Sequence, residues 1–364
     1  MAHLDFSAGI PLRIAAISGL ALAAACAPES LGDPRYAGES CRRVTLIDER
    51  TGAAIVGAED MAIDRRRDRL IVSAYDRRAA ERAARRKAFQ VPEGGLYELD
   101  LNALRQPDGR LVAARPLLDA DAVAGGLRPH GLDYDPERGE VAFVNRGYQK
   151  IDERWRMTPR LERASIFGDI VEVSGEEAPC AANDVLVSDV GAFVSFDHGD
   201  CGWRGMAEDV FGFARSGIAS AGGAPLFEAA KFANGIAELR NGDIALADTK
   251  SSSIVVLTKA GDGFDEERRV TTPGGPDNLT IAEDGRVIAA LHPSLIWIGA
   301  HRKLGFGNAP SRVVKVDPDS GDVELLFDNV VGHRFSAATV AVEDDKTLVL
   351  GSVTEPGVLV CRRG

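Results

Sequence analysis

The chain has 364 residues, 45% of them hydrophobic, with 39 glycines and a formal net charge of -12. That is enough apolar sequence for a large core and too much glycine for a helical bundle. The acidic balance excludes the basic face of a nucleic-acid binder and leaves a small molecule as the expected partner.

Residues 14–27, "IAAISGLALAAACA", form an apolar run behind Arg13 that ends in small residues. The run reads as the core of a secretory leader rather than a membrane span. Residues 1–27 are therefore expected to be a signal peptide, a lipoprotein leader or a signal anchor, and 28–364 a single exported domain, periplasmic or secreted. Cys26 stands where a bacterial lipoprotein is cleaved and acylated, whereas Ala23 and Asp5 depart from that pattern. Cleavage, lipid anchoring and a retained anchor all stay open, and any membrane attachment is expected through the N-terminus only.

From Glu59 onward one unit recurs: a small polar residue, an alternating apolar strand, a turn with Asp, Gly or Asn, and a second apolar strand. The copies are "EDMAIDRRRDRLIVSAY" from Glu59, "HGLDYDPERGEVAFVN" from His130, "NDVLVSDVGAFVSFDH" from Asn183, "NGIAELRNGDIALADT" from Asn234, "DNLTIAEDGRVIAALH" from Asp277 and "SAATVAVEDDKTLVLGS" from Ser336. Further strand material follows each copy, giving units of four strands. The predicted fold is all-β, a six-bladed β-propeller with a central calcium-binding tunnel. The insert "DRRAAERAARRKAF" at 76–89 reads as a solvated helix or loop and is given no chemistry.

Four cysteines follow Cys26, and none has zinc-site spacing. Cys41 precedes the first strand and Cys361 lies near the end, so a bond between them would tie the last blade to the first. Closing so long a loop is worth about 4–5 kcal/mol on the chain-entropy model. Cys180 and Cys201 flank the hairpin centred on Val190 and Gly191 and form a second candidate pair.

In a propeller the innermost strand of every blade starts at the same end of the tunnel, so the opening residues converge on the axis. Here they are Glu59, His130, Asn183, Asn234, Asp277 with Asn278, and Ser336 to Thr339. Two carboxylates and three carboxamides make an all-oxygen set suited to Ca²⁺. Asp60 and Asp184 each follow a proposed ligand and point the other way, towards a second, structural ion.

His130 shares the rim and could take a proton from water while a metal polarises a carbonyl, which is ester or lactone hydrolase chemistry. His198 and His292 end second strands and are expected as wall residues of the pocket; His301 and His333 are expected in loops. No G-x-S-x-G, H-E-x-x-H, P-loop or G-x-G-x-x-G occurs, which excludes nucleophilic serine and nucleotide chemistry of those kinds.

Between 41 and 361 the chain resembles the paraoxonase/arylesterase family, within the gluconolactonase-like propeller group. The resemblance rests on "GAED" at 57–60, "PHGL" at 129–132, "ND" at 183–184, "FANGI" at 232–236, "DN" at 277–278, "HP" at 292–293 and both terminal cysteines. It implies two calcium ions. Glu59, Asn183, Asn234, Asp277 and Asn278 would hold the catalytic one, and Asp60, Asp184 and the Leu132 carbonyl the structural one. It further implies His130 as general base, a Cys41–Cys361 disulfide, and calcium-dependent hydrolysis of lactones and aryl esters.

The chain departs from the family in two places. Arg146 stands where the family carries a second histidine, and an arginine cannot accept that proton, which leaves His130 alone or Asp277 as base. A further family histidine falls near Thr354 and Glu355. The segment "WRGMAEDVFGF" from Trp203 to Phe213 is expected as an apolar lid. A sugar lactonase and a non-enzymatic, calcium-stabilised binding module are the alternative readings.

Overall fold

The structure is a computed structural model that describes residues 28–166, 173–189, 191–345 and 347–363. The leader reading and Cys26 lie outside those residues. No helix among the described residues is long and apolar enough to cross a membrane.

Turn chemistry starts the fold. In successive repeats a carboxylate at the end of the first strand accepts two backbone N–H groups just ahead and reverses the chain. Asp64 Oδ1 takes Arg66 N at 3.1 Å and Arg67 N at 3.2 Å. Asp135 Oδ1 takes Glu137 N at 2.8 Å and Arg138 N at 3.0 Å. The apolar alternation on either side then pairs into antiparallel hairpins.

Among the described residues twenty-four strands form five sheets, an all-β and propeller-like arrangement. Four sheets have four strands each and begin with Pro129–Asp135, Ala182–Ser188, Ala233–Glu238 and Gly275–Ile281. The remaining sheet has eight strands, with Ala58–Asp64 at one edge and Ala338–Asp344 at the other. Its halves meet where Cys41–Asp48 runs parallel to Leu111–Pro116, Thr45 opposite Leu111. On its other side Cys41–Asp48 pairs antiparallel with Val358–Arg362, Cys41 opposite Cys361. The first strands of successive repeats pack side by side, and Ala338–Asp344 packs back against Ala58–Asp64.

Both expected disulfides are present, Cys41–Cys361 and Cys180–Cys201. The core lies between neighbouring repeats. One cluster joins Met61, Leu70 and Val72 to Val340, Val342 and Val349, and another joins Ile71 and Leu96 to Leu132, Val141 and Phe143. Inner strands are covered on both faces, as in Ser311–Val316, whereas the outer strand Leu111–Pro116 alternates exposed and buried.

Polar links cross the same seams. Asp64, fully buried at its side chain, accepts Arg67 Nη1 at 2.9 Å and the Tyr134 hydroxyl of the next sheet at 3.2 Å. Burial alone would raise its pKa, but these donors hold it below the usual carboxylate range. A folded-state value below the unfolded one adds stability above the unfolded pKa, and that stability is lost as pH falls through the folded pKa. Asp64→Asn is therefore expected to cost about 1–3 kcal/mol at pH 7, with a smaller cost in acid. Urea unfolding at pH 7 and at pH 3 checks this; a pH-independent difference would assign the effect to shape rather than charge.

Candidate functional site

A single local irregularity builds the site. The hydrogen-bond ladder of every first strand slips at its opening: between Ala58 and Asp60, Pro129 and Leu132, Ala182 and Val185, Ala233 and Ile236, Pro276 and Leu279, and Ala338 and Val340. Such bulges re-aim side chains. Here they turn Glu59, His130, Asn183, Asn234, Asp277 and Thr339 into one pocket of about 180 Å³. Gly131 and Gly235 allow the strands to come this close, since a Cβ at either would lie 2.4 Å and 2.6 Å from the backbone of Asp184 and Asn278 respectively.

The site carries unsatisfied oxygen. Glu59 Oε2 and Asn234 Oδ1 of the pocket lining, and Oδ1 of Asn278, which the lining does not include, are buried without a hydrogen-bond partner, an expensive condition away from water. The amide ends of the carboxamides are anchored, which fixes where those oxygens point. Asn278 Nδ2 donates to Glu59 O at 2.9 Å, Asn183 Nδ2 to Asp197 Oδ1 at 2.5 Å and Asn234 Nδ2 to Thr249 Oγ1 at 3.4 Å. Thr339 Oγ1 also donates to Glu59 O, at 2.7 Å. Burial, and then the neighbouring Asp277, push the Glu59 carboxyl up to about 7.

Among the described residues no three His, Cys, Asp or Glu side chains gather closely enough to hold a metal by themselves. The set assembled here relies on carboxamides, and orphaned oxygens beside two mutually repelling carboxylates fit a hard cation.

Each of two histidines faces a carboxylate. His292 Nε2 lies 2.7 Å from Asp277 Oδ2 and donates to that carboxylate, while Nδ1 is buried and without a partner. His130 Nδ1 lies 3.5 Å from Glu59 Oε1, beyond a good hydrogen bond, and is likewise unpartnered. Burial first, then Arg146, Arg77 and Arg302, hold the His130 pKa well below its usual value, so the ring is neutral at pH 7.

On the other side of the first strands, Asp60 Oδ1 and Oδ2 accept Met61 N and Leu132 N, both at 2.8 Å. Asp184 Oδ1 and Oδ2 accept Val185 N at 2.8 Å and Ile236 N at 2.9 Å. These carboxylates staple one sheet to the next, a role the sequence reading did not assign. Burial pushes Asp60 up to about 8, and burial followed by Asp60 raises Asp184 well above the usual range. Asp60 and Leu132 line a second cavity, of about 320 Å³.

Several expectations need correction. Trp203–Phe211 is a helix, but Trp203 and Phe211 are 71% and 72% exposed and the pocket lining includes neither, nor Phe213. His198 does not line the pocket, whereas Asp197, the first residue beyond the strand Gly191–Phe196, does. His301 is no loop residue: it is buried in a helical turn, with Nδ1 2.7 Å from Gly307 O and Nε2 2.9 Å from Thr354 Oγ1. Arg146 is buried, donates to Ala182 O at 3.3 Å and lies 4.0 Å from Asp197 Oδ2, behind the lining.

The run at 76–89 does form a helix, Arg77–Arg85, with Asp76 capping Ala79 N at 2.8 Å. Contrary to expectation it touches the site, since Arg77 lines the pocket together with Lys250, Arg302 and Lys303. Nothing in the charge alternation showed which end of that helix would meet the axis.

No known protein-family profile matches the chain, and no curated protein matches it either. Solved structures do. A Bacteroides thetaiotaomicron protein of unknown function is similar at 9% identity over 88% of this chain and 75% of its own, with a TM-score of 0.50. A proposed gluconolactonase is similar at 14% identity, covering 92% of this chain and 94% of its own, TM-score 0.48. Virginiamycin B lyase from Staphylococcus aureus is similar at 10% identity over 88% and 98%, TM-score 0.48. At such identities the likeness concerns the fold alone.

Proposed function

We propose that this chain is a six-bladed β-propeller and a calcium-dependent hydrolase of carboxylic esters, lactones and aryl esters, of the paraoxonase type it resembles. The blade count follows from dividing the eight-stranded sheet at its one parallel seam, which leaves repeats of four strands throughout. The observation that carries the activity is the convergence of Glu59, Asp277, Asn183 and Asn234 on one pocket, with Glu59 Oε2, Asn234 Oδ1 and Asn278 Oδ1 orphaned, beside two unpartnered histidine nitrogens.

Glu59, Asn183, Asn234, Asp277 and Asn278 would hold the catalytic ion. When bound, such an ion supplies Lewis-acid polarisation of a carbonyl. Asp60, Asp184 and the Leu132 carbonyl would hold a structural one. Neutral His130 accepts a proton at Nδ1 from the attacking water and returns it to the leaving oxygen. His292 fixes the orientation of Asp277 through Nε2. Burial of the floor excludes bulk water from these exchanges. Export with processing of residues 1–27, or lipidation at Cys26, belongs to the same proposal and agrees with two disulfides.

A sugar lactonase is the alternative with an observation in its favour, because Arg77, Asp197, Thr249, Lys250 and Arg302 line the pocket beside its apolar residues and could hydrogen-bond sugar hydroxyls. Assays on aliphatic lactones, a sugar lactone and phenyl acetate rank these substrates. Turnover is expected to vanish with chelator and return with calcium. His130→Gln is expected to lower kcat by about 100-fold while calcium affinity by calorimetry stays unchanged. Folded, calcium-loaded protein that turns over none of them would replace the hydrolase with the binding module.

A further inference from the structure

The pocket wall facing the carboxylate floor is cationic: Arg77, Lys250, Arg302 and Lys303 all line it. Two segments outside the sheets carry three of these residues, the helix Arg77–Arg85 and the helical turn Ala300–Leu304. They are clamped together by Arg78, which donates to the backbone carbonyls of His301 and Arg302. His301 is itself pinned on both ring nitrogens.

This clamp holds like charges against each other. Arg77 and then burial lower the Arg302 pKa to about 10, the effect of a cation forced close to another cation. Arg77 has one carboxylate partner, Glu81 at 3.2 Å. Among the described residues neither Arg302 nor Lys303 lies within ion-pair distance of any carboxylate, whereas most other arginines of the chain do. Glu81 and Glu59 act against this beyond ion-pair distance, so the cluster is left with cations in excess where the floor carboxylates are themselves neutralised.

The site's charge balance points the same way. A divalent cation held on the floor would offset Glu59 and Asp277, and Asp197 faces Arg146 at 4.0 Å. What remains towards the opening is the cationic wall. Leu295, Ile298, Phe232 and Val353 supply apolar lining between wall and floor.

We propose that the substrate is a small lactone or ester bearing its own anionic group, a carboxylate or a phosphate, held by Arg302, Lys303 and Arg77 while its ester carbonyl faces Glu59 and Asp277. This rests on the ester-hydrolase reading above. Arg302 and Arg77 present planar, multi-donor heads, which suit either anion.

The test compares a γ-lactone carrying a carboxylate arm with its carboxamide twin, using the full calcium-loaded chain. Wild type is expected to favour the carboxylate by about ten-fold or more in kcat/KM, mostly through KM. Arg302→Gln with Lys303→Gln brings that ratio to about two-fold or less, and Arg302→Lys retains part of it. Equal use of both lactones by wild type, or a ratio untouched by the double change, overturns the proposal. Lys303 is exposed, so Lys303→Gln alone provides a variant that folds.

If neither lactone is hydrolysed, the hydrolase reading fails and binding decides this one. Calorimetric titration with glutarate and with inorganic phosphate should show binding weakened about ten-fold in the variants, and the preferred anion identifies carboxylate or phosphate. Absence of binding by both anions overturns it.

Discussion

Glu59→Gln abolishes hydrolysis at submillimolar calcium and at the same time raises the melting temperature of the metal-free protein. Both halves of this expected result come from one carboxylate. The side chain is buried, Oε2 lacks a partner, and burial with Asp277 holds its pKa at about 7. At pH 8 the wild-type group is ionised in a place that disfavours charge, so the metal-free protein bears that cost and the Gln variant does not. The variant keeps the contacts of Glu59 O with Asn278 and Thr339, which come from the backbone. It loses one of two carboxylates in the ion-binding set, and calcium affinity is expected to fall by about 100-fold. Calorimetry with calcium and melting of chelated protein at pH 8 read the two effects separately. A variant that melts lower and binds calcium normally would remove Glu59 from the site.

The second large effect concerns stability. Reducing the Cys41–Cys361 bond, or replacing both cysteines with serine, is expected to remove about 5 kcal/mol and to lower the melting temperature by on the order of 10 °C. The bond spans 320 residues and sits in the closing sheet, where Cys41 and Cys361 are already opposite one another. A disulfide there restricts the unfolded chain far more than one across a short loop. Melting with and without reductant, in wild type and in the double serine variant, separates this bond from Cys180–Cys201, whose separation is 21 residues. Equal losses from the two bonds would contradict the loop-length account.

Much of the fold was legible because the repeat carries its own turn chemistry. Asp64, Asp135 and Asp317 each close a turn with the side-chain contacts that their position after an alternating strand suggests. Convergence of Glu59, His130, Asn183, Asn234 and Asp277 was legible too, since equivalent positions in equivalent repeats must meet at the axis. The bulges that aim these side chains were not, because alternation of apolar residues does not register a single slipped pair. Arg77 and Arg302 were missed for another reason. They sit on inserts between strands, where the repeat supplies no position to compare, and their meeting depends on Arg78 bridging residues far apart in sequence. His301 was misplaced on the same ground, for its partner Thr354 lies on a different connection.

The seam where Cys41–Asp48 enters beside Val358–Arg362 also sets the timing of assembly. As the ribosome delivers the chain, repeats from Ala58 to Asn329 have their local partners at hand and can fold in turn, but residues 41–48 wait for the second of their two neighbours, a strand more than three hundred residues behind them. Once Leu111–Pro116 has emerged one side of the early strand has its neighbour, but the side that takes Val358–Arg362 stays an unpaired edge until synthesis ends, exposed to mispairing. Any device that slows the final step, such as a fusion at the C-terminus or a stalled last segment, would therefore hold the ring open with its Glu59 and Asp277 strands already formed and the pocket incomplete.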